Sequence, residues 1–264
     1  MLLPYRPPSD NALNMYYPII VPESLPGTYK FWGNDDKELY ENNLAVQDFG
    51  WRYRTKEIQY KLNSQGYRCP EFDTIDWKNS IVIVGCSQVF GIGLAEDETI
   101  AVQLQKLTDC PVINLGRPGS SIDYSLANNI QLRTNFPTPR AVINHWTEPM
   151  RETYFGVEKI ATVTPGLSMH ETYYKKHIGM LINMFGLDAE DVEHDYKYKA
   201  KMSSDTCKAL WKDTTYIEST WNSLTADALD CYKQKKLDTA RDIMHWGVDS
   251  ARALAKHYAE LIEC

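Results

Sequence analysis

Cysteine is scarce and scattered in this chain. Cys69, Cys86, Cys110, Cys207, Cys231 and Cys264 include no Cys-x-x-Cys pair, so the usual spacings of a structural zinc site are missing and no metal is implied. So few thiols in 264 residues also argue against a disulfide scaffold and for reduced cysteines in a cytosolic setting. Long apolar runs are absent too. No stretch approaches the roughly 18 uninterrupted apolar residues of a membrane-spanning helix, which excludes a membrane span. The opening Met1-Leu2-Leu3-Pro4-Tyr5-Arg6-Pro7-Pro8 lacks the basic flank and apolar run of a secretory leader, so a cytoplasmic location is expected. Positive charge is in deficit, with 28 Lys and Arg against 35 Asp and Glu and a net charge of −7. A protein that grips phosphates is more often basic, and a nucleic-acid partner is not expected.

What is present is an ordinary globular mixture, 43% hydrophobic and 24% charged, with 17 Tyr and 7 Trp. That aromatic content suggests a thick core or an aromatic-lined cleft. Residues 1–75 are rich in Pro, Tyr and Asn and show little helical periodicity before Asp36–Gln47. They read as an N-terminal extension that wraps the domain or docks a protein partner. Within it, Asn63-Ser64-Gln65-Gly66-Tyr67-Arg68 reads as a turn that aims an arginine.

From residue 76 the pattern becomes that of an α/β domain. Ile81-Val82-Ile83-Val84, ended by Gly85, is a strand buried on both faces. An acidic turn, Asp97-Glu98-Thr99, precedes a helix carrying Ile100, Ala101, Leu104 and Leu107. Pro111–Leu115 is a second strand, closed by Gly116. Ser120 or Ser121 then caps a helix with Ile122, Leu126 and Ile130 on one face. Ala141–His145 is a third strand. This alternation predicts a three-layer α/β/α, flavodoxin-like domain around a parallel sheet of about five strands. Residues 150–235 break the rhythm. They are expected to form a largely helical insertion beside the sheet, with helices over Glu171–Phe185 and around Ser223–Lys235 and a polar Tyr- and Lys-rich stretch, Asp191–Lys201, between them. Ser250–Ile262 closes the chain as a helix striped by Leu254, Tyr258, Leu261 and Ile262.

The working site of an open α/β sheet lies at the carboxyl ends of its strands. Three segments arrive there: Gly85-Cys86-Ser87-Gln88, Asn114–Ser121 and His145-Trp146-Thr147-Glu148. Neither nucleotide motif survives inspection. Gly85-Cys86-Ser87 is not a G-x-G-x-x-G opening, and Gly85 and Gly91 have the wrong gap for a P-loop, with no following Lys. What remains is a hydroxyl, Ser87, beside a glycine that permits a tight turn. A serine attacks only when a base takes its proton and a third group orients that base. Asp242-Ile243-Met244-His245 supplies such a pair, its spacing letting the carboxylate reach back to its own imidazole. His145 reads as a packed strand-end residue, and Cys86 as a small buried thiol or, alternatively, a nucleophile paired with histidine. Glu148 and Arg151, three apart, read as a surface pair or as pocket lining.

Taken together and in order, these segments resemble the SGNH (GDSL-type) hydrolase family. Gly85-Cys86-Ser87 stands for its Gly-Asp-Ser block. Asn114-Leu115-Gly116-Arg117-Pro118-Gly119-Ser120 stands for the block that donates a glycine amide, and Asp242 and His245 for the terminal Asp-x-x-His. The Cys86 variant resembles virus-encoded and environmental branches. The resemblance covers about residues 78–148 and 236–264. It implies a cofactor-free serine hydrolase acting on an acyl or acetyl ester of a carbohydrate or small polar molecule. In that scheme Ser87 is the nucleophile, His245 the base and Asp242 its orienting acid. Gly119, Gly116, Glu148 and Arg151 would serve the oxyanion and substrate. One departure is plain: Trp146-Thr147-Glu148-Pro149 occupies the place of the family's Gly-x-Asn-Asp block, so its oxyanion Asn is missing. Asn144 lies inside the strand, which leaves Arg151, Arg68 or a serine hydroxyl to replace it. The same departure supports an alternative, a non-catalytic structural or carbohydrate-binding protein, such as a virion component docked through residues 1–75. Acyl transfer to a sugar would use the same triad.

Overall fold

A computed structural model describes residues 26–155, 160–164 and 168–262. The first 25 residues of the expected extension and Cys264 lie outside this set. In chain order the elements are β1 (Gly27–Tyr29), α1 (Lys37–Val46), β2 (Tyr60–Leu62), β3 (Ile81–Gly85), α2 (Ser87–Phe90), α3 (Ile100–Thr108), β4 (Val112–Gly116), α4 (Ile122–Asn135) and β5 (Ala141–Trp146). There follow β6 (Glu152–Phe155), β7 (Ile160–Val163), α5 (Ser168–Phe185), α6 (Ala189–Leu210), β8 (Thr215–Thr220), α7 (Ser223–Leu229), β9 (Tyr232–Lys233) and α8 (Val248–Leu261).

The central sheet has the order β4-β3-β5-β8-β9, and every pairing in it is parallel. This is the doubly wound, flavodoxin-like order expected from the alternation of strands and helices. Alternating β-branched residues feed both faces. Ile81, Ile83 and Ile143 pack with Leu104 of α3 and with Leu254 and Tyr258 of α8. On the other face Val82, Val84 and Val142 pack with Ile122 and Leu132 of α4, Cys207 of α6 and Leu229 of α7. Strand order reverses between β3 and β5, so the connections leaving these two strands diverge and open a crevice at their carboxyl ends. Cys86-Ser87 and Thr147–Arg151 are the segments that directly follow these two strands.

The middle of the chain differs from its sequence pattern. The 150–235 segment, expected beside the sheet, supplies two of its strands, β8 and β9, and β8 pairs with β5 along six residues. The polar stretch Asp191–Lys201 lies inside the 22-residue helix α6. Its buried stripe is Val192, Tyr196, Ala200, Ser203 and Cys207, at helical spacing but built mainly of small residues, which weakens the apolar signal. Asp188 caps it by accepting from the Glu190 and Asp191 amides at 2.8 and 2.9 Å. The helix expected around Ser223–Lys235 stops at Leu229, where Asp230 turns left-handed with φ +49° and the chain enters β9. Three stripe positions are also corrected, because Leu107, Ile130 and Leu261 are solvent-exposed. Each i+4 step overshoots a full turn by about 40°, so Ile130 has rotated off the face that Ile122 buries. Ser125, Asn128 and Asn129 fill that face instead.

Residues 26–75 pack against the loop that follows α2. Tyr53, Ile58, Tyr60 and Leu62 form a cluster with Phe90, Ile92 and Ala95. Arg68 crosses from this segment into the core. Its guanidinium donates to the carbonyls of Gly91 at 2.9 Å and Leu94 at 3.0 Å, to Gln59 and Phe90, and through Nε to Glu96 at 2.7 Å. The turn therefore does aim this arginine, at backbone carbonyls. With its donors committed there, Arg68 is not the substitute for the missing oxyanion Asn.

Candidate functional site

Ser87 opens α2, a single helical turn reached directly from β3 through Cys86. Cys86 stands at the cap position in extended geometry and makes no side-chain capping bond. The first amides of the helix, that of Ser87 among them, have no intrahelical acceptor. Helix and sheet approach very closely here: a Cβ on Gly116 would lie 2.3 Å from the Phe90 nitrogen, and one on Gly85 2.8 Å from the His145 carbonyl. These contacts explain both glycines. They also give Gly116 a structural task, since its N–H is taken by Asn114 Oδ1 at 2.9 Å. Gly119 differs. Its φ of +75° is the left-handed turn that glycine adopts freely, a Cβ there would touch nothing within 4 Å, and its amide has no hydrogen-bond partner among the described residues.

Asp242 and His245 meet within one tight loop. Ala240 donates to the His245 carbonyl and Ile243 to the Ala240 carbonyl, both at 3.0 Å. Asp242 is buried, and its Oδ1 accepts the Met244 and His245 amides at 3.2 and 3.0 Å. Its Oδ2 receives His245 Nδ1 at 2.5 Å. That bond fixes the imidazole's tautomer and leaves Nε2 as the acceptor, the ring being 14% exposed. Between the two residues, Ile243 holds φ at +63°. A left-handed β-branched residue costs roughly 1–2 kcal/mol, which the surrounding bonds must sustain. Asp238 fixes the loop's exit by accepting from the Asp249 and Ser250 amides at the start of α8.

Two cross-links join this loop to the neighbourhood of Ser87. Trp246 N donates to Gln88 Oε1 at 3.4 Å, so the chain neighbours of the imidazole and the hydroxyl are linked. Arg241 N donates to the Gly93 carbonyl at 3.0 Å, six residues beyond Ser87. The Ser87 hydroxyl itself is almost buried and makes no hydrogen bond among the described residues. Catalytic hydrogen bonds are often completed only when substrate is bound.

Beyond β5, the segment in place of the Gly-x-Asn-Asp block carries a half-buried ion pair, Glu148 Oε1 to Arg151 Nε at 2.6 Å. The two terminal guanidinium nitrogens of Arg151 have no hydrogen-bond partner among the described residues. Arg151 lines a cavity of about 330 Å³ together with Asp123, Glu152, Tyr154, Tyr196 and Lys199. Asn144 is wholly buried, giving Nδ2 to Tyr216 and accepting from Asn129, and is no oxyanion donor. The serine hydroxyls at hand are engaged: Ser120 donates to the Gly85 carbonyl, while Ser121 bonds Thr153 and caps α4. Sequence reasoning placed Gln88 and Thr147 in the strand-end segments but gave neither a role; the buried Thr147 hydroxyl has no hydrogen-bond partner among the described residues. Among the described residues no group of three His, Cys, Asp or Glu side chains could hold a metal, and no helix is long and apolar enough to cross a membrane.

His145 lies opposite Gly85 in the sheet, fully buried, bonded to Ser219 Oγ at 2.9 Å and Tyr258 Oη at 3.2 Å. Burial pushes its pKa down to about 3. An unfolded chain binds that proton near pH 6.5, so the folded state loses ground as the pH falls from 6.5 towards 3. Between pH 7 and pH 5 this one group should remove about 2 kcal/mol of stability. Urea melts at both pH values are expected to show that loss reduced by a similar amount in His145→Asn, and equal losses in the two proteins would refute it.

No family model matches the chain, and no curated protein does. Several solved structures are similar. One is a carbohydrate esterase family 2 enzyme with a carbohydrate-binding domain from Corynascus thermopiles (Myceliophthora fergusii), at 11% identity and TM-score 0.43 over 70% of this chain and 65% of that one. A second is the acetyl xylan esterase Est2A from the rumen bacterium Butyrivibrio proteoclasticus, at 10% identity and TM-score 0.42 over 71% and 64%. The chain thus spans just under two thirds of either. A third is AlinE4, an SGNH-hydrolase family esterase, at 12% identity and TM-score 0.32 over 72% of this chain and all of that one. At such identities the chemistry has to be argued from this chain's own residues.

Proposed function

We propose that the protein is a serine ester hydrolase of the SGNH type, acting on an acyl or acetyl ester of a carbohydrate or other small polar molecule. The observation that carries this reading is the His245 imidazole. One ring nitrogen is fixed on a buried carboxylate 2.5 Å away, and the other is open on a loop bonded to the residue next to Ser87. In the proposed reaction Ser87 Oγ attacks the ester carbonyl while His245 Nε2 takes its proton. The carbonyl oxygen gains the negative charge, which the Ser87 and Gly119 amides stabilise. Collapse of the tetrahedral intermediate expels the alcohol, protonated by His245. Water activated by the same imidazole then releases the acid and restores Ser87. Asp242 holds the tautomer and stabilises the imidazolium.

Arg151 is the group best suited to the place of the missing Asn, because its terminal nitrogens make no hydrogen bond among the described residues and it lines the cavity that follows β5. That cavity mixes tyrosines with both signs of charge, a lining that suits a polyhydroxylated leaving group better than a fatty chain. A fluorophosphonate probe tests the reading directly. Stoichiometric labelling of Ser87, located by peptide mass analysis and lost in His245→Ala, is the expected result. Absence of labelling in the folded wild-type protein would instead favour a carbohydrate-binding or structural protein without chemistry.

A further inference from the structure

The proposed hydroxyl opens α2 and the imidazole sits on a separate loop, and one carboxylate from the N-terminal segment ties that loop to the turn that follows α2. Asp35 is buried in the turn between β1 and α1. Its Oδ1 accepts Arg241 Nε at 2.9 Å and its Oδ2 accepts Arg241 Nη2 at 2.7 Å. Tyr60 of β2 also donates its hydroxyl to Asp35 Oδ2. The same Tyr60 oxygen accepts the Gly93 amide at 2.7 Å, and the Gly93 carbonyl accepts the Arg241 amide at 3.0 Å. The bonds therefore close a ring: Arg241 side chain to Asp35, Asp35 to Tyr60, Tyr60 to Gly93, and Gly93 back to the Arg241 backbone.

Each side of this ring touches one half of the site. Gly93 ends the short loop that begins at α2, and its close fit is evident from the 2.7 Å that would separate a Cβ there from the Ala240 Cβ. Arg241 immediately precedes Asp242, and its side chain runs into the N-terminal segment. There its guanidinium lies 4.8 Å from the Phe31 ring centre and 5.0 Å from that of Tyr40, and it donates to the Lys30 carbonyl at 2.7 Å. Asn43 Nδ2 holds the Arg241 carbonyl at 3.1 Å. Burial, then the charge of Asp35, pushes the Tyr60 phenol up, which keeps it a donor. The left-handed Ile243 needs such an external hold, since nothing in its own φ preference favours that turn.

We infer that Asp35, acting through Arg241 and Tyr60, is a positioning residue that sets the Asp242–His245 turn against the Ser87 loop. It rests on the hydrolase reading for its catalytic consequence, and on the bond ring alone for the mechanical one. The N-terminal segment from Asp35 to Tyr60 is accordingly part of the site's framework, not a detachable docking arm. A displacement near 1 Å at a reacting group costs on the order of 10²-fold in rate, so loss of the tether should appear in kcat.

The test uses the full chain with Asp35→Asn, Tyr60→Phe and the control Tyr53→Phe, whose buried hydroxyl makes no hydrogen bond among the described residues. Amide hydrogen exchange over residues 238–247 is measured beside p-nitrophenyl acetate kinetics, at a temperature where circular dichroism shows every variant folded. Exchange in that peptide should rise about tenfold or more in Asp35→Asn and Tyr60→Phe, and kcat should fall about 10- to 100-fold with KM nearly unchanged. Tyr53→Phe should move neither. If Asp35→Asn does not fold, Tyr60→Phe decides the matter, because it removes only one oxygen. Unchanged exchange and unchanged kcat in folded Tyr60→Phe overturn the inference. A wild-type protein that never cleaves the ester, while exchange over 238–247 still rises in the variants, defeats the hydrolase reading and sustains the tether.

Discussion

Ser87→Ala is expected to lower kcat for p-nitrophenyl acetate by about 10⁴–10⁶-fold, the loss typical of removing an activated serine from a triad. Cys86→Ala should remain within about threefold of wild type, because a buried thiol at this position packs as a small apolar group. The two side chains are adjacent in sequence but differently placed. Cys86 is fully buried at the cap of α2, and Ser87 starts the helix and is slightly more exposed. Steady-state kinetics on both variants, each checked for folding, decides between them. If Cys86→Ala is the inactive protein and Ser87→Ala retains turnover, the nucleophile has been misassigned. If neither change affects hydrolysis, the activity lies elsewhere.

Asp242→Asn should cost about 10⁴-fold in kcat with little change in KM. The substitution is nearly isosteric, and the amide oxygen can still accept the Met244 and His245 amides that now bond Oδ1. What it reverses is the polarity of the bond to the ring. An amide N–H facing Nδ1 demands an acceptor there, which places the proton on Nε2 and leaves no base for the serine. Because the fold is retained while the tautomer is wrong, the loss should appear in kcat and in the rate of fluorophosphonate labelling, with thermal stability changed by only a few degrees. Full activity in a folded Asp242→Asn protein would mean that the carboxylate merely shapes the turn.

Much of the candidate site was legible in the chain, for local reasons. Ser87 follows a β-branched run ended by glycine, and such a strand must deliver its next residues to the edge of the sheet. The Asp242-x-x-His245 pair is a turn whose members bond each other within four residues, and no distant element is needed to anticipate it. Arg68 shows the limit of such reading. The turn that aims it was visible, but its targets at residues 59, 90, 91 and 94 were not, and so its candidacy as an oxyanion donor could not be judged. The helix α6 was obscured by its composition, since beyond Val192 and Tyr196 its buried stripe is alanine, serine and cysteine, which give little apolar signal.

The residue pattern by itself determined the α/β class and the three strands β3, β4 and β5, for which periodicity suffices. It singled out Ser87, His245 and Asp242 only as candidates, joined into one proposal by the family resemblance. Only the tertiary structure decided that β8 and β9 complete the sheet and that Arg151 lines a cavity beside the place of the missing asparagine. The tie between Asp35 and Arg241 across 206 positions was likewise settled there. A buried charge finds its partner through three-dimensional packing, and no spacing along the chain encodes which of the distant carboxylates will be brought to it.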